Sequence, residues 1–289
     1  MKIRLAFILK FTLLPIFALN LYAQDYVSPV YEQKKINDIV IHENLRYGEI
    51  PENTNSSSSD RILDLYLPET LSKKDKLPVF LFIHGGGFSG GDKALTDFCT
   101  KIAQNGYAVA SINYRLSLKN NKVSGASCGA NMAKGLPQRG KFHPLLQKAV
   151  SNASEDAHTA LQWLAKQSKK YQLDINQVVV CGGSAGAMTA LHLAYMLKPK
   201  DVKLKAVVNF WGGLEDASLI PQNAVPLLTY HGDKDDIIHV DYAYALHKRM
   251  EELQSTSSKL NILPNKGHAL YKYITENKIN EIISFLKSL

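Results

Sequence analysis

The chain has 289 residues, 45% hydrophobic and 21% charged, a balance that excludes collagen-like, low-complexity and wholly disordered proteins. A chain of this length buries about three quarters of its unfolded surface, so its core needs no disulfide or metal staple, in keeping with only three cysteines. The formal charge of +8 sits on scattered lysines without the basic, aromatic-interleaved stripe of a nucleic-acid groove, so no nucleic-acid partner is expected.

Part of that charge lies at the start. Lys2, Arg4 and Lys10 fall within residues 1–23, which hold no acid, and without them 31 basic residues face 26 acidic ones. A basic stretch at 1–4, an apolar stretch at 11–19 and a small residue at Ala23 give the three-part layout of a secretory signal peptide. Lys10 and Pro15 interrupt the apolar run, which is also short for a membrane span. Cleavage after Ala23 is expected, leaving 24–289 as one catalytic domain that is secreted or periplasmic, with no stable membrane anchor. An oxidising destination permits a disulfide, for which Cys99 and Cys128 are candidates. Cys181 follows an apolar run and reads as core.

Residues 36–41 and 62–67 mix apolar and polar residues in near-alternation, as half-buried strands do, with a polar, Ser-rich loop at 51–60 between them. The runs 79–83, 108–112, 178–181, 206–210 and 227–230 are almost continuously apolar, which suits parallel strands covered on both faces, and 260–263 adds one more. Helical patterns fall at 95–104, 155–166, 187–197, 242–253 and 274–286. The alternation predicts an α/β fold, a parallel sheet flanked by helices, without internal repeat or linker. Residues 117–154 break the rhythm as a long insertion rich in Gly, Asn, Ser and Lys, of the kind that serves as a lid or packs over one face.

Four motifs follow strand ends. After 79–83 comes His84-Gly85-Gly86-Gly87, whose bare backbone can aim N–H groups into a cavity. The amides of Gly85 and Gly86, with that of Ala185, are candidates to hold an oxyanion. Gly85, Gly87 and Gly90 also fit a dinucleotide loop, but no acid lies between Asn105 and Leu116, where that pattern requires one. After 178–181 comes Gly182-Gly183-Ser184-Ala185-Gly186, a G-x-S-x-G sequence opening a helix, which predicts Ser184 as a nucleophile raised on a tight strand-to-helix turn. After 227–230 comes His231-Gly232-Asp233-Lys234-Asp235-Asp236, where three aspartates compete to orient a histidine. After 260–263 comes Lys266-Gly267-His268-Ala269, which offers His268 as general base, with His239 as its rival. Phe88, Tyr114 and Trp211 follow strands near these motifs and are candidates for the substrate pocket, and His143 is a weaker one from the insertion. No H-E-x-x-H or C-x-x-C occurs, so no metal is expected.

In this order the motifs resemble the α/β-hydrolase superfamily. More narrowly they are similar to secreted bacterial carboxylesterases related to the hormone-sensitive-lipase and the feruloyl and acetyl-xylan esterase groups. The resemblance runs from about residue 62 to the C-terminus and includes Ser111-Ile112-Asn113-Tyr114-Arg115-Leu116. It implies a mostly parallel eight-stranded sheet with the first two strands at one edge, Asp235 as the triad acid through H-G-x-x-D, and His268 as the base. It further implies hydrolysis of a small-molecule or polysaccharide-linked ester without a cofactor. The insertion at 117–154 departs from the family, which makes substrate scope its least transferable property. A serine peptidase of prolyl-oligopeptidase type shares the triad order but carries a large second domain that this length cannot hold. A non-catalytic binding protein on the same fold would have lost a triad member, and none is missing.

Overall fold

The apolar runs form neighbouring strands whose alternate side chains enter two separate cores. In the computed structural model, residues 33–36, 38–49, 59–69, 76–121, 123–137 and 141–289 are described, all within one unit at 31–289. The signal peptide expected at 1–23 lies outside them. The strands are β1 (Gln33–Ile36), β2 (Ile39–Arg46), β3 (Ile62–Pro68), β4 (Leu77–Ile83), β5 (Ala108–Ile112), β6 (Leu173–Gly183), β7 (Leu204–Phe210), β8 (Leu227–Gly232) and β9 (Lys259–Leu263). They form one sheet in the order β1-β2-β3-β5-β4-β6-β7-β8-β9. The pairs β1–β2, β2–β3 and β3–β5 are antiparallel, and every later pair is parallel.

The mostly parallel α/β sheet is as expected, and the described residues form nine strands, one more than the eight implied by the resemblance. Residues 36–41, read as one strand, contain a reversal: Asp38 takes φ 62°, and Ile36 pairs with Ile39 across it. Aspartate tolerates this left-handed conformation better than most side chains, so an alternating run folds into a hairpin.

Strand period two divides the core. Val79, Leu81 and Ile83 face one cluster, whereas Phe80 and Phe82 face the other. Helices α1 (Thr96–Ala103), α6 (Tyr271–Asn277) and α7 (Ile279–Lys287) cover the phenylalanine face, through residues such as Phe98, Ile274 and Phe285. The opposite face is covered by α3 (Pro144–Gln167), α4 (Ala185–His192) and α5 (Asp241–Glu252), through Leu161, Met188 and Leu246. Burying each large apolar side chain contributes about 1.5–3 kcal/mol.

The insertion is more helical than its composition suggests. It holds α2 (Cys128–Met132), and α3 starts at Pro144 instead of 155, running for 24 residues. His143 caps α3 by accepting from the Leu145 N–H at 3.2 Å, and proline follows where a helix start tolerates its missing N–H. Asp156 on α3 is fully buried and fastens the helix to the sheet edge, bonded by Arg61 Nε at 2.8 Å and by the Arg115 amide at 2.9 Å. The cysteines are all free and buried. Cys128 packs against Met188, so the Cys99–Cys128 disulfide is not formed.

Candidate active site

The glycine run, Ser184, Asp235 and His268 all lie past the C-terminal ends of parallel strands, where an open α/β sheet leaves its crevice. β6 gives way to α4 at a single residue. Ser184 takes φ 56° and ψ −122°, a conformation that costs a non-glycine residue about 1–3 kcal/mol. The absence of neighbouring side chains makes the turn possible. A Cβ on Gly182 would meet the Gly186 backbone, and one on Gly186 would meet the carbonyls of Ile83 and His84. The G-x-S-x-G spacing is thus the closest packing of helix on strand.

The raised hydroxyl meets a histidine. His268 Nε2 stands 2.8 Å from Ser184 Oγ, and His268 Nδ1 stands 2.7 Å from Asp235 Oδ2. Asp235 Oδ1 accepts from the amides of Ile237 at 3.0 Å and Ile238 at 2.9 Å. Burial pushes the Asp235 carboxyl up, but hydrogen bonds from His231, His268 and the Ile238 amide outweigh it and hold the group well below the usual carboxylate range. An ionised carboxylate only accepts, so His268 Nδ1 carries the proton and Nε2 is left to take one from serine. Of the three candidate aspartates, Asp235 is the one bonded to His268. The rival base His239 turns outward and pairs with Asp241 at 3.2 Å.

The glycine loop crosses directly over the serine. A Cβ on Gly85 would come 2.9 Å from the Gly183 carbonyl oxygen and 3.3 Å from Ser184 Cβ, so glycine suits this approach. His84, buried behind the loop, donates from Nδ1 to the Gly85 carbonyl at 2.6 Å and stacks on Tyr114 at 4.5 Å. In a trans peptide the carbonyl and the following N–H point in opposite directions. Fixing the Gly85 carbonyl therefore fixes the Gly86 N–H on the other side. Burial lowers the His84 pKa against the opposing pull of the Gly85 carbonyl.

A cleft of about 520 Å³ opens over these groups, lined among others by Gly85, Gly86, Cys128, Ser184, Ile237 and His268. The three aromatic candidates stand behind this cleft. Phe88 and Tyr114 are fully buried, and the Tyr114 hydroxyl donates to the His84 carbonyl at 2.9 Å. Trp211 is fully buried too and presents its ring edge-on to His268, with centroids 6.3 Å apart. Phe88 and Trp211 have φ values of 61° and 43°, which turn side chains that follow a strand back into the core.

Three further residues stand beside the site. His84 has a visible signal in the sequence, a histidine directly before a glycine run. His231 lies 3.3 Å from Asp235 Oδ2, and its place four residues before the acid is the only hint. Tyr271 lines the cleft and its ring end occupies the space that a Cβ at Gly183 would enter, so a side chain there requires Tyr271 to move. No pattern in the sequence signals that contact. Among the described residues, no group of three or more His, Cys, Asp or Glu could hold a metal ion, and no helix is long and apolar enough to cross a membrane.

The chain is similar to known hydrolases and esterases. Residues 63–134 match the BD-FAE family, 146–230 the alpha/beta hydrolase fold family and 213–289 the prolyl oligopeptidase family. Carboxylesterase 1E of Mus musculus is 28% identical over 204 residues, covering 69% of this chain and 33% of the relative. Fumonisin B1 esterase of Sphingopyxis macrogoltabida is 29% identical over 157 residues, covering 52% and 25%. The chain thus spans about a third or less of the length of these curated relatives. Among solved structures, esterase B from Lactobacillus rhamnosis superposes with a TM-score of 0.63 at 16% identity, covering 89% of each chain. A truncated carbohydrate esterase from gut microbiota superposes with a TM-score of 0.58 at 15% identity, covering 86% of this chain and 95% of the other.

Proposed function

We propose that this α/β-hydrolase is a serine carboxylic-ester hydrolase that works through an acyl-enzyme on Ser184. The observation that carries the reading is the unbroken chain from Ser184 Oγ through His268 to Asp235, with links of 2.8 and 2.7 Å. His268 Nε2 takes the serine proton as Oγ attacks the ester carbonyl, and Asp235 stabilises the imidazolium and keeps its tautomer. The amides of Gly85, Gly86 and Ala185 receive the developing oxyanion. Each such donor typically contributes about 2.7–4 kcal/mol to lowering the barrier. Collapse expels the alcohol with the proton from His268, and water then cleaves the acyl-enzyme by the same route.

Short-chain or carbohydrate-linked acetyl and feruloyl esters are the substrates we propose. The open cleft supports this, as does the neighbour named as a carbohydrate esterase. The three-part N-terminal segment supports action outside the cytoplasm. Hydrolysis of p-nitrophenyl acetate by the native chain, lost in a folded Ser184→Ala variant, is the expected result; turnover retained by the variant would contradict the assignment. The match of 213–289 to the prolyl oligopeptidase family favours a second reading, a serine peptidase using the same triad. Cleavage of a proline p-nitroanilide in place of esters would select it.

A further inference from the structure

We infer that a second cavity, walled from the catalytic cleft by Met188 and Cys128, receives the distal part of straight-chain acyl groups longer than butyryl. The inference rests on the ester reading and extends the acyl range of that same site beyond the short chains proposed above.

Ser184, Met188, His192 and Met196 recur at four-residue intervals, so they follow one face of α4 and its continuation away from the nucleophile. The helix carries this face outward from the serine, with Met188 about 6 Å and His192 about 12 Å along the axis. Met188, His192 and Met196 line a cavity of about 250 Å³ that Phe142, Val150 and Leu214 also border and that opens to the surface near Leu219. Glu215 and Gln147 also border it, but they are bonded to each other at 2.8 Å. Gly213, Asp216 and Leu219 complete the lining, with the Asp216 carboxylate near the mouth beside Leu219.

The two spaces are separated by one layer of side chains. Cys128 lines the catalytic cleft and its Sγ lies 3.8 Å from Met188 Sδ, while Met188 itself lines the second cavity. Methionine has three rotatable side-chain bonds and a polarisable thioether, which suits it to yield to an apolar chain. Rotation of Met188 joins the cleft to the cavity along the line of α4. This also gives the insertion a function: it supplies Cys128 at the cleft end and Phe142 and Val150 at the far end.

The test is the ratio of kcat/KM for p-nitrophenyl octanoate to that for p-nitrophenyl acetate, in which a general loss of activity cancels. Met188→Ala removes the wall and is expected to raise the ratio about tenfold, within the range that methylene-sized changes in apolar pockets produce. Val150→Phe fills the cavity and is expected to lower it about tenfold. Circular dichroism and thermal melting establish that each variant is folded, and if Val150→Phe is not, Met188→Ala decides alone. A ratio in Met188→Ala within about twofold of the native value, with acetate still hydrolysed, overturns the inference and leaves the ester reading standing. Native protein that hydrolyses neither ester removes both together.

Discussion

His231 Nε2 stands 3.3 Å from Asp235 Oδ2, the same oxygen that meets His268 Nδ1 at 2.7 Å. The imidazole of His231 is fully buried, and its Nε2 also lies 2.7 Å from the Ile238 carbonyl. A carbonyl only accepts, so Nε2 carries the hydrogen and directs it at the turn that holds Asp235. The two amides on Oδ1 complete the grip. Asp235 is thus held ionised by His231 at the end of β8 and by the Ile238 amide of its own turn, together with His268.

Replacing that carboxylate should therefore disarm the base without disturbing the fold. Asp235→Asn keeps the shape but can present an N–H to the Nδ1–H of His268, which favours the wrong tautomer. The expected loss in kcat is about 10⁴-fold, read from steady-state hydrolysis of p-nitrophenyl acetate. A loss of less than about tenfold would mean that another carboxylate serves His268.

Stability should depend on pH through the same group. The Asp235 carboxyl is held below its ordinary value in the fold, whereas in the unfolded chain it titrates near about 3.9. Its contribution is present above that unfolded value and declines as pH falls below it toward the folded one. Urea midpoints for the native chain should fall more steeply between about pH 5 and pH 3 than those of Asp235→Asn, which lacks the titrating group. Parallel curves for the two proteins would contradict this.

The role of His84 is open to a direct test because its ring lies behind the glycine loop, held against the Gly85 carbonyl. His84→Ala frees that carbonyl, and the Gly86 N–H loses its fixed direction. Loss of one oxyanion donor typically lowers kcat by about 10²–10³-fold. The drop should appear in kcat rather than KM, because the interaction is realised in the tetrahedral state. An unchanged kcat would show that the loop keeps its course without the histidine.

Gly186→Ala should damage folding before chemistry. Its new Cβ would meet the carbonyls of Ile83 and His84, which are backbone atoms at the end of a central strand and cannot rotate aside. Overpacking of this kind costs about 1–3 kcal/mol or more, measurable as a lowered urea midpoint. A midpoint equal to that of the native chain would show that α4 can shift away from β4.

The sequence made the site's skeleton legible because each element of it is bound to a short-range pattern. Gly182, Gly186 and Ser184 announce a strand-to-helix turn by composition alone, and His268 follows its own strand after a glycine. The choice of Asp235 over Asp233 and Asp236 depends on which residue of the turn lies beneath His268, a long-range fact that motif spacing only suggests. Positive φ values at Phe88 and Trp211 accompany rings buried behind the cleft, and no side-chain pattern encodes that reversal. β6 starts at Leu173, upstream of the apolar run at 178–181, and the left-handed Asp38 turns the alternating run at 36–41 into a hairpin. In the insertion, composition suggested loop, while Ala149, Val150 and Ala153 on one face of α3 carry the helical period back to Pro144.

The central claim is that Ser184 is the atom acylated. Incubation with an activated alkyl phosphonate ester, which forms a stable tetrahedral adduct on an activated serine, followed by peptide mass spectrometry, tests it without reference to the natural substrate. The expected result is one adduct on the peptide bearing Ser184, with loss of p-nitrophenyl acetate turnover in proportion to labelling and no adduct in Ser184→Ala. An adduct on another residue, or full inactivation with Ser184 unmodified, would contradict the account.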